Sequence, residues 1–384
     1  MIIESLKSQY HYDKKRFVTS SLIVSLVFFS TGLVIPYVLF VQSSVSSLAN
    51  ISLYNSIFAF IGTIITILLI SKRINSDHIT RLIVSGVTLS VARLFVGLIP
   101  YTKSEIVVFI STIGAMSAPI FFAELLYFTI KFFNNTNKMK TTIMYNVMSQ
   151  TALITGYFTS SLLYPNYNLI FFGSSLILMT SLFIIILIYR RFNMRYDEVK
   201  INVKQILLRF DLLSILLISG ITITLINFIS PFVFEQAFTA KFTGFSFIIA
   251  ALIMIFVVPN IIKCCSRIGN IYIESLILFI ISLIMMLIMI NTFGIYIAII
   301  QYTLIALINA ILITSRHNLF KVFSSSENWV VSLLSGLILQ ISNIFLFVLK
   351  VTNATTIKDV VLIEIIFVLA GILFLTYKIL KRKK

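Results

Sequence analysis

Twelve apolar stretches of about twenty residues run through the whole chain, each long enough to cross a hydrocarbon core of about 30 Å. They lie near 17–41, 51–71, 80–100, 105–131, 142–163 and 168–189, then near 208–234, 243–263, 271–291, 294–314, 329–350 and 359–378. The breaks between them are short, so consecutive helices are expected to be antiparallel neighbours. The chain of 384 residues is 59% hydrophobic and only 11% charged, too few charges to keep a soluble domain of this size dissolved. The expected fold class is an all-α membrane protein with almost no soluble part. The first stretch begins near Phe17, is too long for a signal-peptide core, and has no small-residue cleavage site after it.

One break stands apart. Tyr189–Gln205 is the longest and most charged, carrying Arg190, Arg191, Arg195, Lys200 and Lys204 against Asp197 and Glu198. Six spans precede it and six follow. This division predicts an N-terminal six-helix bundle over 1–189, a linker over 190–207 and a C-terminal six-helix bundle over 208–384.

The net charge of +17 is not a nucleic-acid signature, because the basic residues sit between spans. Alternate breaks hold Lys72, Arg73 and Arg81; Lys131, Lys138 and Lys140; the central linker; Lys263 and Arg267; Arg316 and Lys321; and the basic C-terminal tail. The opposite breaks hold only Lys103, Lys241, Lys350 and Lys358. A bias of one sign across all twelve spans predicts that both termini and the linker are cytoplasmic in a multi-pass cell-membrane protein. The 2 cysteines, Cys264 and Cys265, are adjacent in one short break. They read as small residues of a reducing compartment rather than metal ligands, since no third or fourth ligand accompanies them. No metal and no cofactor are expected.

The two halves repeat landmarks. Pro36 in IPYVLF and Pro231 in SPFVFE fall in the first span of each half, and the breaks after spans 2 and 8 read SKRINSD and CSRIGN. The separations Pro36 to Arg73 and Pro231 to Arg267 are nearly equal. Parallel six-helix repeats astride a cytoplasmic linker fit the two-bundle architecture of secondary transporters.

On these features the chain resembles the major facilitator superfamily. Its signature between spans 2 and 3, a Gly-x-x-x-Asp-Arg-x-Gly-Arg-type run, is matched here by Lys72-Arg73-Ile74-Asn75, and its weaker copy by Ser266-Arg267-Ile268-Gly269-Asn270. The acidic residue of that signature, part of a charge latch in the family, is absent from both. Three further stretches resemble the bacterial sugar efflux branch: ILLISKRINSDHITRLIV, Ser117-Ala118-Pro119 followed by Phe122-Ala123, and Ser149-Gln150-Thr151-Ala152-Leu153 followed by Gly156. The arginine that many family exporters carry early in span 4 is absent, with Ile110 near that place. The Gly-Pro pair of span 5 is absent too, because Tyr157 follows Gly156. The resemblance implies a monomeric, proton-coupled exporter of small sugars or related small molecules. A drug, peptide or natural-product exporter of the same fold is the alternative, and a lipid-linked glycan flippase a more distant one. No Gly-x-x-x-x-Gly-Lys run is present, so ATP hydrolysis by the chain itself is not expected. A membrane glycosyltransferase would need acids in an external loop, and QSSVSSLAN has none. The expected partners are a small-molecule substrate, protons and membrane lipids, and the chain is not read as an enzyme.

Candidate site residues are the polar groups inside spans. Arg93 lies about halfway along span 3, where a lipid-facing arginine costs at least ~2.5–3.5 kcal/mol, so it must face a cavity or a partner. Glu124 in FFAELLYF is the acid most clearly inside the first bundle. From the span ends, the axial offset of Arg93 and Glu124 is roughly 9 Å, which predicts that they communicate as a proton-linked switch. Gln150 and Asn227 are read as substrate hydrogen-bonding groups, with helix-to-helix bonding as the alternative. Pro36 and Pro231 each free a backbone carbonyl and are read as hinges. Arg73 and Arg267 are read as gate residues at the cytoplasmic seam. Glu364, Glu235 and Asp211 are read as interfacial.

Overall fold

The computed structural model describes residues 14–74, 76–98, 105–133, 138–192, 210–322 and 328–382. Those residues form helices α1 (Lys14–Ser43), α2 (Leu48–Ile70), α3 (His78–Leu98), α4 (Glu105–Phe133), α5 (Lys138–Leu163) and α6 (Tyr167–Phe192). The second half forms α7 (Phe210–Ala237), α8 (Thr243–Ser266), α9 (Ile271–Met289), α10 (Ile295–Val322), α11 (Asn328–Ile344), the short α12 (Phe347–Val351) and α13 (Ile357–Arg382). A 3-10 turn, Ala240–Phe242, precedes α8. The expected spans and the helices agree to within a few residues, save that span 11 is split into α11 and α12. The expected linker lies almost wholly outside the described residues, because α6 runs to Phe192 and α7 starts at Phe210.

Helix ends follow local chemistry. Ser47 caps α2 by accepting the Asn50 N–H, Asp77 accepts the Thr80 N–H at the start of α3, and Asn270 accepts the Tyr272 N–H at the start of α9. Gly269, with φ 69°, turns the chain between α8 and α9, which gives a structural reason for the Gly in Arg267-Ile268-Gly269-Asn270. The split of span 11 has a partner in the other half. Ser56 of α2 donates to the Asn343 carbonyl at 3.2 Å, which also accepts from the Leu346 N–H at 3.1 Å instead of from Phe347 one turn on.

Among the described residues eleven spans, α11 and α12 counting as one, are long and apolar enough to cross a membrane. The exception among the long ones is α5, rich in Ser, Thr, Asn and Gln. It packs between α1 and α8, where Ser149, Ser160 and Ser161 are buried. Large apolar side chains such as Phe60, Ile64, Ile366 and Leu373 face outward, as lipid requires.

Within the first half α1 packs on α5 and α6, and α3 on α4 and α6; within the second, α7 packs on α10, and α9 on α10 and α13. The halves meet through α2 and α4 on α11, α2 on α12, and α5 on α8. Two glycines permit close approaches to backbone of the other half. A Cβ on Gly336 of α11 would lie 2.8 Å from the Pro119 carbonyl of α4, and one on Gly244 of α8 would lie 2.8 Å from the Tyr157 carbonyl of α5. Because helix direction alternates, α1, α3, α5, α7, α9 and α11 begin at one end of the molecule, here called the basic end after its Lys/Arg-rich breaks.

Candidate functional site

Between the two halves lies a cavity of about 600 Å³. Its wall draws on α1, α2, α4, α5, α7, α8, α10 and α11. Six carboxamides reach it: Gln42, Asn55, Gln150, Asn227, Asn309 and Asn343. Three are occupied: Gln42 donates to Ser111 Oγ at 2.6 Å, Asn55 to the Ile51 carbonyl at 3.0 Å and Asn309 to the Ile305 carbonyl at 2.8 Å. The side chains of Gln150, Asn227 and Asn343 make no hydrogen bond to any described residue, and Asn227 is exposed on an otherwise mostly buried stretch of α7. Pro231 also lines the cavity, and since proline has no N–H it leaves the main-chain carbonyl of Asn227 without its helical partner. Phe122, Tyr157, Phe228 and Phe247 supply aromatic surface. Among the described lining residues there is no Asp, Glu, Lys, Arg or His. The arrangement suits a solute held by neutral donors and acceptors over aromatic faces.

The halves touch on both sides of this cavity. Toward the basic end, Trp329 of α11 is buried, with Lys72 Nζ 5.2 Å and Arg81 Cζ 5.7 Å from its ring. Gln340 of α11, also fully buried, accepts from Thr66 of α2 at 2.7 Å and donates to the Met116 carbonyl of α4 at 3.1 Å. Toward the opposite end, Tyr37 donates to the Lys241 carbonyl at 3.1 Å and Lys350 to Asn50 Oδ1 at 2.9 Å.

The sequence candidates separate into two groups. Gln150, Asn227 and Pro231 line the cavity, and Pro36 is buried in α1 beside the lining residue Ile35. Of the two settings expected for Arg93, a cavity or a partner, the structure has the partner, and the substrate-binding or coupling role is corrected: it donates to Ser30 at 3.2 Å, Ser174 at 3.0 Å and Thr31 at 3.4 Å, inside the packing of α1, α3 and α6. Hydroxyls of neighbouring helices satisfy the guanidinium there. The expected Arg93–Glu124 switch is corrected as well. Glu124 is 1% exposed and is held by Arg81 at 2.5 Å and by His78 in a shorter contact. Arg81 and Arg93 are twelve residues apart on α3, about 120° around the helix, so one acid cannot face both. Arg73 and Arg267 are exposed, with no side-chain bond to any described residue; in the first half, Lys72 and Arg81 are instead the cations seen against Trp329 of the other half.

Sequence reasoning missed His78 and Arg81, which it placed in a polar break. The available signal was Asp77, a helix-capping residue that starts α3 there and makes both residues helical. It also misplaced Glu364, which is completely buried. Among the described residues no cluster of three or more His, Cys, Asp or Glu could hold a metal.

Neither a family model nor a curated protein matches the chain. Solved structures do. A POT family transporter in complex with a thioalcohol-conjugated peptide superposes with a TM-score of 0.66 at 9% identity, over 94% of this chain and 95% of that one. A POT family transporter in complex with 5-aminolevulinic acid gives 0.63 at 10%, over 94% and 95%. The nucleoside transporter NupG, in a mutant form, gives 0.59 at 12%, over 93% and 98%. At such identities the likeness shows the fold: twelve transmembrane helices in two six-helix bundles, the major facilitator fold.

Proposed function

We propose that this protein is a secondary active transporter that moves small, uncharged, hydroxyl-bearing solutes, small sugars and nucleoside-like molecules among them, by rocking its two bundles about the central cavity. The cavity carries this reading: six carboxamides and aromatic surface line it, and no ionisable Asp, Glu, Lys, Arg or His stands among the described lining residues. Carboxamides bond hydroxyls as donor and acceptor at once, and aromatic faces take the apolar face of a ring. A peptide or a cationic drug would bring formal charges that this lining has nothing to pair with. The Lys/Arg bias supports both termini and the linker being cytoplasmic, and the likeness to the sugar efflux branch supports outward movement with a proton gradient as the driver.

The test is solute counterflow in vesicles holding the purified protein, with a labelled hexose, disaccharide, nucleoside, dipeptide and cationic dye. Uptake of a neutral solute, competed by its neighbours in the panel and weakened in Asn227→Ala, is the expected result. Uptake confined to the dipeptide or the dye would refute the substrate class.

A further inference from the structure

Glu364 is the least accommodated acid in the described structure. It lies seven residues into α13, about 10 Å from the helix start, inside an apolar span. Its exposure is 0%, and neither carboxylate oxygen has a hydrogen-bond partner among the described residues. The inward stripe of α13 runs Val360, Glu364, Val368, Gly371, Leu375, all buried, while Leu362, Ile366 and Leu373 face outward. Gly371 fixes what that stripe faces: a Cβ there would meet Ile218 of α7 and Phe279 of α9. Both helices run antiparallel to α13. Seven residues back along α13 therefore places Glu364 level with Leu225 of α7 and Met286 of α9, both buried apolar residues.

No charge stands opposite. The ionisable residues of α7 are Asp211 and Glu235, and those of α9 are Tyr272 and Glu274; all four lie near helix ends. On α13 itself, Asp359 is engaged by Thr355 and Thr356 and Lys378 by Asp211, while Lys358, Tyr377 and Lys381 lie toward the two ends. The nearest hydroxyls on the facing sides of α7 and α9, Thr222 and Ser282, lie about a turn away and donate to the Ile218 and Leu278 carbonyls, while Thr224, beside Leu225, lines the cavity. An ionised carboxylate with no partner does not persist in such surroundings; it takes up a proton. The position also bears on the cavity. Leu225 and Asn227 lie about 200° apart around α7, so α7 shows Leu225 to α13 and Asn227 to the cavity. Glu364 sits directly behind the wall that carries the exposed carboxamide and Pro231.

We propose that Glu364 is a proton-binding site of the second bundle, which holds its proton while α7 is packed against α13 and releases it to water when α7 bends away from α13 within that bundle, a motion additional to the rocking of the two bundles. The coupling to α7 rests on the transporter reading; the bound proton does not.

Infrared spectroscopy of the purified, membrane-reconstituted protein at neutral pH tests the bound proton. The wild type should show the carbonyl stretch of a protonated carboxylic acid, and Glu364→Gln should lose it while Glu124→Gln retains it. Glu364→Met should lose the same band, and either variant decides the point if the other fails to fold. A spectrum that keeps the band in a folded Glu364 variant would overturn the site. Coupling is read in vesicles with an imposed pH gradient: Glu364→Gln should keep solute exchange and lose gradient-driven accumulation. Accumulation equal to wild type would overturn the release step. If no solute moves with the wild-type protein, the transporter reading fails, and the infrared result still decides whether Glu364 binds the proton.

Discussion

Arg81 of α3 and Glu124 of α4 are joined at 2.5 Å, with their side chains 3% and 1% exposed. His78 takes the second carboxylate oxygen, and Arg81 also donates to the Ser76 carbonyl at 2.7 Å. Arg81 in turn lies against Trp329 of the other bundle. The first bundle therefore presents a fixed charge cluster to the second at the basic end.

The pairing makes a measurable distinction. Glu124→Gln leaves Arg81 buried without its counter-charge and should cost ~3–5 kcal/mol. Arg93→Gln should cost less, about 1–3 kcal/mol, because Ser30, Thr31 and Ser174 keep their bonds to the Val27 and Ser30 carbonyls. Thermal unfolding in detergent, run as double-mutant cycles, should give a strong coupling for Glu124 with Arg81 and nearly none for Glu124 with Arg93. The reverse pattern would restore the Arg93–Glu124 switch.

The fold was legible because lipid allows few backbones, so span length and the Lys/Arg bias marked twelve helices. The site was legible only in part. In a helix apolar on every face, such as α7 or α13, no periodicity tells which side is inward, so Asn227 could be named but not aimed, and Glu364 was read as interfacial from its distance to the span end. The Arg93–Glu124 expectation used axial depth alone; the face, which decides contact, was invisible. Trp329 and Gln340 act across bundles through contacts distant in sequence, and a single sequence carries no sign of them.

Gln150 and Asn227 face the cavity without partners among the described residues, so removing them should spare the fold. Each lost solute hydrogen bond is worth about 0.5–1.5 kcal/mol, up to about tenfold in affinity. Gln150→Ala and Asn227→Ala should each weaken solute binding within that range while leaving the melting temperature within a few degrees of wild type. Gln42→Ala would do more to the fold, since Gln42 bonds Ser111 between α1 and α4. Loss of stability in Asn227→Ala without loss of affinity would make Asn227 a packing residue.

Orientation can be read from a native thiol. Cys264 is exposed and lies near the basic end of α8. With the basic end cytoplasmic, a membrane-impermeant maleimide should leave Cys264 unlabelled in intact cells and label it after permeabilisation. Thr352→Cys, in an exposed break at the opposite end, should label in intact cells once Cys264 and Cys265 are changed to Ser. Labelling of Cys264 from outside would invert the topology.

Gly244 and Gly336, where backbone of one half lies close to the other, sit toward opposite ends of the molecule. Gly244 lies at the start of α8, away from the basic end, where a side chain would strike the Tyr157 carbonyl. Gly336 lies on α11 toward the basic end, where a side chain would strike the Pro119 carbonyl. Both obstacles are backbone, so neither can rotate aside, and the added side chain is accommodated by separating the helices. A substitution that clashes in one arrangement and not in the other shifts the population by that difference. Gly244→Val should therefore favour the arrangement open away from the basic end, and Gly336→Val the one open toward it. Asn227→Cys in a background without native cysteines reports both, because Asn227 faces the cavity. Its labelling should quicken from the non-basic side with Gly244→Val and from the basic side with Gly336→Val. If both substitutions quicken labelling from the same side, the contacts at the two ends do not alternate, and the cavity is not served by a rocking motion.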